Sequence, residues 1–308
     1  MILSSRIKNY YYQNINSLPI DKQFHFATRM AAWNGDSVAF EMLRSLRNTI
    51  VEADNLTDVF GRIVSTPQTG RRNAHELRQP FFEKYPSLYG THAALFRLRH
   101  LESVYGVDAR QEFFEVCDKE DLDLLYDTLS NDPEALRILS TFAINFMYLY
   151  QKIALRNSDA VDATLFLRAA EGYDLSDKLN LQLKIYLYTH CIIGDSNFYT
   201  EQVPAQNLEA YKTMLAELEG LISDNFEFIN LDNKLEFLVA CRIVGFDSGL
   251  FERIDAECQQ SISPEGDFVI DTHNENLQED KVSFEKSEHR NVLYIMSASE
   301  YAPHSTIV

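Results

Sequence analysis

Apolar residues recur every three to four positions along almost the whole chain, and only short polar runs interrupt the stripes they make. Breakers are scarce: 11 Gly and 8 Pro stand against 20 Phe and 16 Tyr in 308 residues. A chain with that pattern has to fold as helices joined by short connections.

The helices can be placed one by one. Residues 21–33 carry Phe24, Ala27, Met30 and Ala31 on one stripe. Asn34-Gly35 stops that helix and Asp36 caps the next, which continues through Val38, Met42, Leu43 and Leu46. Pro86 suits the first turn of a helix reaching Tyr105, with Gly106 as its stop. Asp132-Pro133 opens a helix through Leu136, Leu139, Phe142, Phe146 and Met147, apolar on nearly every side and therefore expected in the middle of the fold. Further helices are expected near 160–170, 176–194, 205–223, 232–244 and 248–261, with Gly245 ending the fourth of these.

About a dozen helices with connections of roughly two to eight residues pack as antiparallel pairs. The expected fold is all-α, in an α/α toroid or solenoid-like arrangement. Phe268, Val269 and Ile270 form one short β-type excursion within residues 266–274. Asn157-Ser158-Asp159 is the expected divide between an N-terminal helical subdomain, 1–157, and a C-terminal one, 158–308.

Charge narrows the partners. A formal net charge of −18 repels phosphate backbones and anionic membrane surfaces, so neither nucleic acid nor membrane is expected as a partner. With 45% hydrophobic residues the chain can still bury a core. No stretch of about 18 apolar residues is present to span a membrane. Met1 to Lys8 lacks the apolar centre of a signal peptide. Cys117, Cys191, Cys241 and Cys258 are isolated, with no C-x-x-C pair, as suits buried reduced thiols. A cytoplasmic compartment is expected.

Chemistry concentrates near the C-terminal end. Successive helical residues turn by about 100°, so Glu288, His289, Arg290 and Asn291 cover most of a helix circumference. The apolar run Val292 to Met296 follows at once. At least one of the four must therefore point inward and find a partner, because an unpaired buried polar group costs a few kcal/mol. Partners are sought in Asp271, His273 and Asn274 upstream, and in Tyr186, His190 and Asp195 on and just past another helix.

These ten residues form the candidate binding cluster. No cofactor is expected. His190, Asp271, His273 and His289 are the residues that a divalent metal would use if it bound. The composition favours an acidic helical binding or interaction protein whose polar cleft holds a peptide or small polar ligand. The alternative is an enzyme with hydrolase-like acid/base chemistry, possible metal assistance included, using Asp271 or Glu288 with His190 or His289. A purely structural network pinning the last helix is the competing reading.

Gly194-Asp195-Ser196-Asn197, behind Tyr188 to Ile193, resembles the serine block of GDSL-type esterases over those four residues. That resemblance implies an apolar strand feeding a turn and a nucleophilic Ser196. The family's later Gly block and Gly-x-Asn-Asp block are absent, and the flanks read helical. A helix C-cap at Gly194 is the reading that the residues themselves give.

Overall fold

In the computed structural model, residues 3–51, 55–66, 75–157, 161–270 and 283–305 are described. Sixteen α-helices and no strand occur among them. In chain order they are α1 (Leu3–Asn14), α2 (Ile20–Asn34), α3 (Ser37–Val51), α4 (Leu56–Val64), α5 (His75–Lys84) and α6 (Leu88–Tyr105). Then come α7 (Arg110–Val116), α8 (Lys119–Ser130), α9 (Pro133–Leu139), α10 (Thr141–Leu149) and α11 (Thr164–Ala170). The last five are α12 (Lys178–Asp195), α13 (Leu208–Asp224), α14 (Leu231–Val244), α15 (Phe251–Gln260) and α16 (Glu288–Ser297). The all-α expectation holds.

Glycine stops fall where the sequence puts them. Gly35, Gly106 and Gly245 end α2, α6 and α14 with φ of 71°, 65° and 69°, a left-handed conformation that costs glycine little. Asp118, Asp132 and Asn230 cap α8, α9 and α14 by accepting from backbone amides of the first turn.

Two expectations need correction. The helix opened by Pro133 is not continuous to Met147: Ser140, fully buried at φ 47° and ψ −112°, splits it into α9 and α10. Carbonyls on the near side of the break find other donors, which offsets the loss. Arg78 Nε donates to the Ile138 carbonyl at 3.0 Å and the Tyr173 hydroxyl to the Arg137 carbonyl at 2.7 Å. The β excursion also shrinks to one antiparallel bridge, Ile262 with Val269, framed by Ser263 N to Phe268 O and Ile270 N to Ser261 O. Residues 271–274 lie outside the described residues.

The chain forms two compact units that interleave in sequence. The first comprises Met1–Leu46, Tyr199–Gln202 and Lys212–Thr306; the second comprises Arg47–Phe198, Val203–Tyr211 and Ile307–Val308. In the first, α16 packs against α1, α2 and α14, and its apolar residues Val292, Leu293, Ile295 and Met296 are buried. In the second, α10 packs against α6, α9 and α12, with Phe146, Met147 and Tyr148 fully buried. Helix α10, apolar on nearly every side, and the apolar stretch Val292 to Met296 of α16 thus pack into the interior of their units. No helix among the described residues is long and apolar enough to cross a membrane.

Candidate functional site

The first turn of α16 carries Glu288, His289 and Arg290 in succession. Glu288 is fully buried, Arg290 and Asn291 are buried, and His289 is half-exposed. The inward-pointing polar residues required by the sequence are therefore present, and each has a defined partner.

Glu288 faces α2. Its Oε1 lies 2.6 Å from His25 Nδ1 and its Oε2 lies 3.4 Å from Lys22 Nζ. An ionised carboxylate only accepts, so Nδ1 of His25 carries the proton and Nε2 is the basic nitrogen. Burial opposes the charged form of Glu288, but the His25 hydrogen bond and the Arg29 and Lys22 charges outweigh it and hold the carboxyl below its usual range. For His25, burial first and the Arg29 charge second push the imidazole down to about 3, against the pull of Glu288. The stable arrangement at neutral pH is a neutral imidazole donating to an anion.

His289 and Arg290 face α14. Asp232 accepts from Arg290 at 2.5 Å and from His289 Nδ1 at 3.3 Å. Burial again works against this carboxylate, and the His289 hydrogen bond with the Arg290 charge brings it down to about 2. Glu236, one turn along α14, stands 4.0 Å from His289 Nε2. The result is two imidazoles, each held through Nδ1 by a carboxylate, with ring centroids 5.6 Å apart. About a quarter of the His25 side chain and a third of His289 reach solvent.

Asn291 does something different. It accepts from the Val269 amide at 2.8 Å and donates to the Val269 carbonyl at 2.9 Å, clamping the isolated bridge onto α16. Its place in the candidate cluster is thus a backbone clamp. Asp271, His273 and Asn274 lie outside the described residues.

Tyr186, His190 and Asp195 belong to the second unit. The rings of Tyr186 and His190 are 6.2 Å apart, and His190 Nδ1 is 3.1 Å from Asn145 Oδ1 on α10. Asp195 is buried in a closed network. Lys152 approaches its Oδ1 at 3.1 Å, while Tyr211 and Asn207 donate to Oδ2 at 2.7 and 2.8 Å. Tyr148 and Tyr211 share a hydroxyl contact at 3.1 Å, and burial drives both phenols well above their ordinary value.

The esterase-like block has none of the implied geometry. Helix α12 runs through Asp195, and buried Ser196 donates to the Ile193 carbonyl at 2.8 Å. Gly194 is needed for packing rather than as a cap, since a Cβ there would stand 2.6 Å from Tyr148 Cδ2. Among the described residues no group of three or more His, Cys, Asp or Glu side chains is placed to hold a metal ion. The four cysteines are buried and free.

Sequence reasoning missed Lys22, His25, Arg29, Asp232 and Glu236. Their signal was present: Lys22, His25 and Arg29 stand at i, i+3 and i+7 on α2, opposite its apolar stripe. Asp232 and Glu236 stand at i and i+4 on a helix buried almost throughout. Polar residues at helical spacing on a buried helix mark one face that meets other charges. Compared with protein-family models, with curated proteins and with solved structures, the chain matches none, and function is read from the site's own chemistry.

Proposed function

We propose that the chain is an acidic helical binding protein that holds a small polar ligand, or a polar side chain of a peptide, over the imidazoles of His25 and His289. One observation carries this reading. A fully buried carboxylate, Glu288, is committed to two groups that are themselves partly in water, His25 and Lys22. Desolvating a carboxylate costs several kcal/mol, and a clamp made for stability alone recovers most when its partners are buried as well. Here the arrangement instead fixes the orientation and tautomer of a solvent-facing ring, which presents Nε2 as an acceptor for a hydroxyl, amide or ammonium donor. The net charge of −18 favours cationic or neutral partners over nucleic acid.

A thermal-shift screen of metabolite-sized polyols, amides and amines tests the reading, with His25→Gln and His289→Gln run beside the parent. A stabilising hit that disappears in both variants is the expected result. Hits that persist in both variants would defeat it.

A second reading draws on the 2.6 Å contact itself. A carboxylate holding Nδ1 of a neutral imidazole is the orienting arrangement of a general base, and His289 stands beside it as a second proton carrier. Hydrolase-like turnover of a small polar substrate, lost in His25→Gln and strongly reduced in Glu288→Gln, is the outcome that would favour it over binding alone.

A further inference from the structure

At the far end of α14 from the imidazole pair, the first unit has a cleft of about 310 Å3. Leu238 and Arg242 line it from the last turns of α14, Phe246 and Asp247 from the loop behind, and Phe251 and Glu252 from the first turn of α15. Gly245 in its left-handed conformation lets the Phe246 amide fold back onto the Cys241 carbonyl at 2.9 Å, and this reversal brings the loop onto the cleft.

Charges of both signs line the space without pairing to each other. Arg242 donates from Nε to the Ser297 carbonyl at 2.9 Å and sets its guanidinium over the Phe251 ring at 4.9 Å. Those contacts fix the plane of the group and leave its terminal amino edge, the edge that takes a carboxylate in two parallel hydrogen bonds. Asp247 and Glu252 are exposed and hold no ion pair among the described residues. A simple cation entering here would meet Arg242, and a simple anion would meet two carboxylates. A ligand with both charges on a short apolar frame satisfies all three.

From this we infer that the cleft binds a zwitterionic amino acid, with its carboxylate on Arg242, its ammonium on Asp247 and Glu252, and its apolar side chain against Leu238 and Phe246. The volume sits at the low end of the range for small-molecule pockets, roughly 300–1,000 Å3, which suits one amino acid rather than a peptide. Both charge pairs are open to water, so each contributes modestly, and the expected Kd is on the order of 0.1–1 mM. The site is independent of the imidazole pair, and His25→Gln leaves it intact.

L-Leucine and L-phenylalanine titrated into the isotope-labelled full chain, followed by backbone amide shifts, provide the test. Saturable shifts confined to residues around 238–252 are expected. L-Leucinamide, lacking the carboxylate, and N-acetyl-L-leucine, lacking the ammonium, should each bind about tenfold more weakly than leucine. Asp247→Asn and Glu252→Gln change exposed side chains and should weaken leucine binding in a chain whose melting curve is unaltered. Arg242→Gln should weaken leucine while leaving leucinamide unaffected. No saturable shift with either amino acid at about 20 mM overturns the inference, a concentration well above the expected Kd. So does leucinamide binding as tightly as leucine, which would mark a cation site only.

Discussion

Each unit buries a carboxylate that the sequence marks out, and the two are used differently. Asp195 in the second unit is surrounded by partners whose side chains are almost wholly out of water: Lys152, Asn207 and Tyr211. Glu288 in the first unit is just as inaccessible, yet His25 and Lys22 keep a quarter to a third of their side chains in solvent. Electrostatics alone does not separate the two, since both are carboxylates beside a lysine. The exposure of the partners does. A charge whose partners are all buried can only hold the fold together, whereas a charge whose partner reaches water sets the orientation and proton position of a group that something else can touch.

The largest expected effect belongs to the closed network. Asp195→Ala takes the carboxylate away from Lys152, whose side chain is 5% exposed and whose ammonium keeps its bond to the residue-195 carbonyl, and removes the acceptor of the Tyr211 and Asn207 donors. Removal of one member of a buried pair costs on the order of 3–5 kcal/mol, and denaturant unfolding should show a loss of that size. A loss under about 1 kcal/mol, the size of a surface pair, would remove the distinction drawn above.

Arg290→Ala comes next. Arg290 is 7% exposed and its partner Asp232 is about a quarter exposed, so water reaches the stranded carboxylate in part. The expected loss is about 2–4 kcal/mol by the same unfolding measurement, below that of Asp195→Ala. Reversal of that order would show α16 to be the more tightly held charge layer and would weaken its case as an open site.

Glu288→Gln should cost less still, about 1 kcal/mol. The amide oxygen can accept from His25 Nδ1, and Lys22 returns to water. Its effect on a ligand that meets His25 should be the larger consequence, because the ring loses the charge that holds its tautomer. A Glu288→Gln chain destabilised as much as Asp195→Ala, with ligand response unchanged, would make both carboxylates structural.

Much of this was legible in the sequence, and the gaps have physical causes. Helix positions and glycine stops followed from periodicity and from the left-handed cap, both local properties. The burial of Glu288 and Arg290 followed from geometry, since four polar residues cannot all face outward on a helix about to enter the core. Their partners did not follow. Lys22 and His25 lie 266 and 263 residues away from Glu288, and Asp232 lies 58 from Arg290, so only the packing of α2 and α14 against α16 identifies them. The break at Ser140 was invisible for a related reason: it depends on Arg78 and Tyr173 taking carbonyls from distant stretches of chain. Asp195 reads as a partner for the C-terminal cluster because it stands just past the Tyr186 and His190 stripe, and position along a helix does not report how closed a network is.

The smallest effect sharpens the comparison through pH. Burial first, then the Arg29 charge, lowers the folded imidazole of His25 to about 3 against 6.5 for an ordinary histidine. Between those values the unfolded chain binds a proton that the folded chain does not. Stability is therefore complete above about pH 6.5 and falls as pH drops toward the folded value. Glu288 and Asp232 are lowered carboxylates, so their contribution is present above the ordinary carboxylate range and is lost as pH falls through their folded values, a separate and more acidic window. From pH 6.5 down to about 4.5 the slope thus belongs to His25 rather than to these carboxylates. Because part of the ring is in water, that slope should be shallower than a full proton's worth. Thermal melts at fixed ionic strength should show the parent losing stability across this window. His25→Asn should be flatter there and turn down with the parent once the carboxylates protonate. The Asp195 network has no imidazole among Lys152, Asn207 and Tyr211, and Asp195→Asn, although less stable throughout, should keep the parent's slope. Parallel curves for the parent and His25→Asn would mean that the ring takes up its proton without cost, and that burial and the Arg29 charge do not hold it neutral for a ligand.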